Sequence, residues 1–282
     1  MGRKITLQTL FQLKEKQEKI AALTAYDAFF AKLVSDLGIE FILVGDSLGV
    51  TVLGYETTHS VTMDHMVYHT RACTQLKPSA FIVTDMPFQS YSTKESALEN
   101  ASKLIQAGSE MVKLEGDAFL AETVNYLTER GIPVCAHLGL MPQYCHIEGG
   151  YRLDIQRENQ LESKLIHDAK ALEEAGAKAL ILKCVKSSTA EQIAQLLSIP
   201  VIGIGSGLKL DGQIQILQDF LGFSDTASSL LSPRYLVVEK TKKPIRYTRD
   251  FLSGQTGGIQ AAIKKYVQLI KEKMFPSNSE FE

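Results

Sequence analysis

Asp46 with Ser47, Asp85, Lys113 with Glu115, His137 and Lys183 share one feature. Each closes a run of apolar residues that would otherwise bury it. Three carboxylates offer hard oxygen ligands, and the sequence shows no His/Cys cluster at zinc spacing, so the metal they suit is Mg²⁺. Held by one or two carboxylates, Mg²⁺ keeps positions open for a bidentate substrate. An α-keto acid presents such a pair in its adjacent keto and carboxylate oxygens, and Lys113 supplies a counter-charge. Taken singly, each residue has an ordinary reading: an Asp at a strand end caps a helix, and Lys113 with Glu115 is an i,i+2 pair on one strand face. Several such ends converging on one rim favour chemistry. His65 and His69 lie four apart on a helical stretch, but with no third ligand they read as surface or capping histidines.

The elements that must position these residues are short and β-rich. Apolar runs at 20–27, 40–47, 80–87, 110–116, 132–140, 178–185 and 199–207 are nearly continuous, as in parallel strands covered on both faces. RYLVVEK at 234–240 is a weaker eighth candidate. Stretches with helical periodicity separate them, such as 96–108, 162–176 and 189–200, the first two ending in glycine. Seven or eight β–α units predict a single-domain (β/α)8 barrel, in which active sites occupy the C-terminal strand ends. A doubly wound open sheet would carry a glycine-rich turn after its first strand, and IAALTAYDAFF has none. Gly203-Ile204-Gly205-Ser206-Gly207 comes late and lacks the G-x-G-x-x-G spacing, so it reads as a strand-to-loop exit.

The chain has 282 residues, 45% of them hydrophobic, and a formal net charge of −2. That length suits one barrel domain over 1–282, with 277–282 expected as a disordered tail. Without a basic excess, nucleic acid is not an expected partner. No apolar run reaches the roughly 18 residues of a membrane span, and the charged N-terminus has no signal-peptide apolar region. Met1-Gly2 with Thr6 fits a myristoylation pattern short enough to arise by chance. The four cysteines, Cys73, Cys135, Cys145 and Cys184, lack C-x-x-C spacing and read as reduced thiols of a cytoplasmic protein. GGIQAAIKKYVQLIKEKMF at 257–275 is amphipathic and reads as a final barrel helix or a subunit contact.

The stretches that carry these residues resemble the ketopantoate hydroxymethyltransferase family of the phosphoenolpyruvate/pyruvate barrel superfamily. The matching segments include GDSLG (45–49) with LGY (53–55), TDMPFQSY (84–91), AGSEMVKLEG (107–116), GIPVCAHLGLMPQ (131–143), GGYR (149–152), IPVIGIGSG (199–207) and DGQI (211–214). The resemblance spans nearly the whole chain. It implies Mg²⁺-dependent transfer of a one-carbon unit from 5,10-methylenetetrahydrofolate to C3 of 3-methyl-2-oxobutanoate, giving 2-dehydropantoate, in a cytoplasmic homo-oligomer, commonly a decamer. Position by position it implies a metal site at Asp46, Asp85 and Glu115. Substrate contacts fall at Asp46, Ser47, Asp85 and Lys113, and His137 lies on the same rim.

The sequence departs from the family where the general-base Glu is expected, since it reads Lys183-Cys184-Val185-Lys186. Cys184 and Val185 hold the register. A positioned base is worth roughly 10²–10⁴ in rate. A neutral Lys183 amine can act as base, a protonated one opposes the metal, and one paired with a carboxylate competes with it. Two alternatives therefore stay open: an impaired homologue that binds Mg²⁺ and a 2-oxo acid, and a lyase-type reaction on a 2-oxo acid. The loop at 152–156, and Met141 in place of the usual Thr, also differ from the family pattern and bear on the folate contacts.

Overall fold

A computed structural model of the chain describes residues 3–147, 158–223 and 248–277. Eight parallel strands close into a barrel in sequence order: β1 Ile20–Thr24, β2 Phe41–Val44, β3 Phe81–Asp85, β4 Met111–Glu115, β5 Val134–Gly139, β6 Ala179–Lys183, β7 Val201–Ile204 and β8 Gly212–Gln215. The helices outside are α1 Leu7–Glu15, α2 Ala28–Asp36, α3 Leu48–Thr51, α4 Met63–Thr74, α5 Lys94–Gln106, α6 Ala121–Thr128, α7 Glu158–Glu174, α8 Ser187–Leu196, α9 Leu217–Phe220 and α10 Gly258–Lys271. Their starts follow from local chemistry. Thr6, Asp27, Thr62 and Thr93 each accept a backbone N–H of the first turn of α1, α2, α4 and α5, satisfying donors that a helix start leaves without partners.

Strand periodicity divides the apolar residues into two cores. Ile20, Ala22, Phe41, Leu43, Phe81, Val83, Met111, Cys135, Ala179, Ile181, Ile202 and Ile214 fill the barrel interior. The alternate strand residues pack outward against the helices. Leu10 of α1 belongs to the interior cluster. Its neighbour Lys14 donates to Ile199 O at 2.9 Å and to Asp211 Oδ2 at 2.7 Å, just before β7 and β8 begin. Helix α1 therefore covers the N-terminal mouth, and the polar ends of the strands gather at the other.

Seven strands fall within the expected runs, and the eighth does not coincide with 234–240. It is Gly212–Gln215, which pairs with both β7 and β1, while 234–240 lies outside the described residues. The segment GQIQ hides from apolar patterning because Gln213 and Gln215 take the outward positions. Gln213 Nε2 donates to Gly207 O at 2.8 Å. The Tyr266 hydroxyl of α10 donates to Ala22 O at 2.9 Å and to Gln213 O at 3.2 Å, tying that helix across β1 and β8. Helix α10 buries Ala262, Ile263, Tyr266, Leu269 and Ile270, as expected of a final barrel helix.

Gly139 ends β5 at φ 96°, where an added Cβ would sit 2.2 Å from Lys183 O. Gly139→Ala is expected to cost about 2 kcal/mol or more through left-handed strain and this clash, read as a lowered urea midpoint.

Candidate active site

The alternation that fills the barrel also selects the site. Inward positions continue from Phe81 and Val83 to Asp85, from Met111 to Lys113 and Glu115, from Cys135 to His137, and from Ala179 and Ile181 to Lys183. Strand register then sets these residues side by side: Asp85 opposite Lys113, and Glu115 opposite His137. Asp46 enters from the turn after β2, where its backbone N–H donates to Asp85 Oδ2 at 2.9 Å. One oxygen from each of Asp46, Asp85 and Glu115 lies within 4.8 Å of the others, and all three side chains are buried.

Lys113, only 3% exposed, is the cation of this cluster. Its Nζ lies 2.6 Å from Asp85 Oδ1 and 3.3 Å from Glu115 Oε1. His137 Nδ1 approaches Glu115 Oε1 to 3.1 Å, but neither ring nitrogen makes a well-aligned hydrogen bond. Ser47, next to Asp46, shares a hydrogen bond of 2.9 Å with the Tyr26 hydroxyl. The arrangement thus gathers the expected Asp46, Ser47, Asp85, Lys113, Glu115 and His137.

Gln143 and Tyr91 were not singled out from the sequence, and both complete the cluster. Gln143 Nε2 donates to Asp46 Oδ2 at 2.8 Å and to Met86 O at 3.0 Å, while its backbone N–H donates to Glu115 Oε2 at 3.2 Å. The Tyr91 hydroxyl donates to Gln143 Oε1 at 2.5 Å. Pro142, which opens the turn Pro142–Tyr144 just past β5, fixes Gln143 over the carboxylates. The available signal was the position of both residues inside GLMPQ and DMPFQSY, next to strand ends.

Lys183 faces inward at the end of β6 and is partly exposed. Among the described residues its ammonium makes no hydrogen bond or ion pair, so pairing with a carboxylate does not occur here. Its charge instead acts on Glu115 and His137. Glu173 and Glu191, in helices away from the strand end, are engaged elsewhere: Glu173 accepts from Ser198 N and Glu191 pairs with Lys209. His65 caps α4, with Nδ1 accepting from Thr62 N at 3.2 Å, and His69 Nδ1 lies 2.6 Å from Tyr26 O. Both are structural. Ser206 of the glycine-rich exit donates to Leu182 O at 2.8 Å. The loop at 152–156 lies outside the described residues.

Three buried carboxylates face one buried lysine, and their proton affinities separate accordingly. Burial, then the charges of Asp85 and Glu115, hold the Asp46 carboxyl well above the usual range. Burial would also raise Glu115, but Lys113 and then His137 outweigh it and hold that carboxyl low. Lys113 is raised because Asp85, Glu115 and Asp46 outweigh the burial that lowers it. Burial, aided by Lys113 and Lys183, lowers the His137 imidazole against the opposing charge of Glu115. An excess of acidic oxygens around one point, with an unsatisfied imidazole beside it, fits a hard divalent cation.

The folded pKa of Asp46 is raised, so its ionised form costs stability once the pH passes the ordinary carboxylate range. Metal-free Asp46→Asn is therefore expected to exceed metal-free wild type in stability by about 1 kcal/mol or more at pH 7. Added Mg²⁺ should reverse that order, which urea unfolding with EDTA or Mg²⁺ will show.

Comparison with known proteins accords with this geometry. The chain is 46% identical to 3-methyl-2-oxobutanoate hydroxymethyltransferase 2 of Aliivibrio fischeri, over 97% of each chain. It is 45% identical to 3-methyl-2-oxobutanoate hydroxymethyltransferase of Sodalis glossinidius, over 96% of this chain and 97% of that one. Its fold is similar to a solved phosphonopyruvate hydrolase complex with oxalate and Mg²⁺, at a TM-score of 0.59 and 13% identity, covering 79% of this chain and 83% of the other. It is also similar to 2,3-dimethylmalate lyase of the PEP mutase/isocitrate lyase superfamily, at 0.58 and 16%, covering 79% and 85%. The family profile for ketopantoate hydroxymethyltransferase matches residues 4–278. With that match across a closed barrel and its acidic rim, the chain belongs to the ketopantoate hydroxymethyltransferase family.

Proposed function

We propose that the chain transfers a hydroxymethyl group from 5,10-methylenetetrahydrofolate to C3 of 3-methyl-2-oxobutanoate, giving 2-dehydropantoate, with Mg²⁺ held by Asp46, Asp85 and Glu115. The observation that carries this reading is the buried set of three carboxylates around Lys113 at the catalytic end of the barrel. When bound, the cation draws electron density from the keto group and makes the C3–H bond more acidic, a Lewis-acid effect of several kcal/mol.

The chain's own residues do the rest. Lys113 keeps its charge and offers it to the substrate carboxylate, while Ser47, oriented by Tyr26, hydrogen-bonds the keto acid. Gln143 holds Asp46 and Glu115 in place from above. Lys183, inward and unpaired among the described residues, is the group placed to receive the C3 proton on Nζ. The C3 carbon that has lost its proton then bonds to the one-carbon unit as that unit's two bonds to the folate nitrogens break. One water supplies the hydroxyl oxygen, and the proton from C3 and one from that water end on the folate nitrogens. His137, with Nδ1 3.1 Å from Glu115 Oε1, orients Glu115.

The same reading places the protein in the cytoplasm, as a homo-oligomer of the family's decameric kind, with a small 2-oxo acid and folate as its partners and neither nucleic acid nor membrane among them. Among the described residues no helix is long and apolar enough to cross a membrane. Phe29 and Tyr68 are 67% and 71% exposed on α2 and α4, which pack side by side, and this supports a subunit contact. The function is tested by assaying 2-dehydropantoate from both substrates. Product is expected with Mg²⁺, none with EDTA, and its absence under both conditions contradicts the proposal.

A further inference from the structure

His59 is distant in sequence from the adjacent pair Cys145 and His146, yet the fold brings one ligand atom of each to within 4.8 Å of the others. Local chemistry places them. The Thr57 hydroxyl accepts His59 N–H at the start of the turn Thr58–Ser60, and Pro142 starts the turn Pro142–Tyr144 that ends in Cys145 and His146. These two turns pack on each other. The His59 and His146 rings approach to 4.5 Å between centroids.

Two further observations point to a ligand. His59 Nε2 lies 2.9 Å from Gln143 O. A carbonyl only accepts, so Nε2 carries the proton and Nδ1 keeps its lone pair. A backbone carbonyl that fixes the imidazole tautomer in this way is the usual support of a metal-bound histidine. In addition, Cys145 is 2% exposed, whereas the two histidines border a cavity lined by Tyr55, Glu56, Thr57 and Ser60. The group is thus anchored on the protein side and open on the other.

We propose that His59, Cys145 and His146 form a second metal site, separate from the carboxylate cluster, that takes Zn²⁺ or a similar borderline divalent ion. Two nitrogens and a thiolate suit Zn²⁺ and reject Mg²⁺, which prefers oxygen, and three protein ligands leave the fourth tetrahedral position to the cavity. Binding converts the Cys145 thiol to a thiolate and releases its proton to solvent. Occupancy clamps the turn at 142–144 to that at 58–60. Gln143 lies in this clamp and touches both Asp46 and Glu115, so the second metal holds in place a residue that orders the first site.

Metal-stripped full-length protein, held in excess Mg²⁺ so that the carboxylates are filled, is titrated with Co²⁺ as an optical stand-in for zinc. The expected result is a thiolate-to-cobalt charge-transfer band that saturates at a single equivalent and is displaced by Zn²⁺. Cys145→Ser should remove the band. His146→Ala, at an exposed side chain, should weaken Co²⁺ binding about tenfold or more. Asp85→Asn should leave the band unchanged. Absence of the band in wild type overturns the site, as does a band that survives Cys145→Ser or a His146→Ala titration identical to wild type.

Discussion

Asp85→Asn is expected to lower kcat/KM for hydroxymethyl transfer on the order of 10³-fold and to remove the stabilisation that Mg²⁺ confers. The size follows from the several kcal/mol of Lewis-acid effect that depends on a correctly held cation, at about 1.4 kcal/mol per tenfold. Asp85 is the acid held closest to Lys113. Its Oδ1 meets Lys113 Nζ at 2.6 Å and its Oδ2 accepts Asp46 N–H at 2.9 Å. Asparagine keeps one acceptor but loses the charge that both the cation and Lys113 require. Activity assays over a range of Mg²⁺, with urea unfolding in parallel, separate the two effects. If Mg²⁺ still raised the unfolding midpoint of the variant as much as that of wild type, Asp85 would not be a ligand.

Lys113→Met is expected to be the most destabilising change in the site, by about 3–5 kcal/mol in the absence of metal. The lysine is enclosed between Asp85 and Glu115, and its loss leaves three buried carboxylates without a compensating cation. The pH dependence gives the mechanism away. In wild type, Glu115 has a lowered folded pKa because Lys113, then His137, outweighs burial, so its contribution is present above the ordinary value of 4.5 and is lost as the pH falls through the folded value. In the variant the same carboxylates are unpaired, and protonating them relieves the fold. The stability gap between the two proteins should therefore narrow as the pH falls toward and below 4.5. Urea unfolding in EDTA across that range measures it, and a gap independent of pH would assign the loss to packing alone.

The barrel and most of its rim were legible in the sequence because a parallel strand buried on both faces is a run of apolar residues, and a charge at its end is conspicuous. Asp85, Glu115, His137 and Lys183 stood out for that reason. What the runs did not reveal is that these residues share the inward side of their strands, which emerges only when Phe81, Met111, Cys135 and Ala179 are seen to fill one interior. The eighth strand escaped because Gln213 and Gln215 take its outward positions, giving no apolar signal. Gln143 escaped because an amide after a proline turn is ordinary until its two acidic neighbours are known. His59, Cys145 and His146 escaped because the approach of His59 to the adjacent pair Cys145 and His146 is purely tertiary. Lys183 was legible as a departure from the family, and the structure adds that it stands clear of the carboxylates rather than paired with them.

The central claim is that this rim acidifies C3 of a 2-oxo acid with a divalent cation and its own base. Exchange of the C3 proton of 3-methyl-2-oxobutanoate in D₂O, followed by NMR without folate, tests it most directly. Wild type should exchange rapidly with Mg²⁺ and not with EDTA, and Lys183→Ala should slow exchange by roughly 10²-fold or more, the worth of a positioned base. Absence of exchange in wild type with Mg²⁺, together with its appearance in Lys183→Glu, would contradict the account by showing an intact metal site that Lys183 does not serve as base.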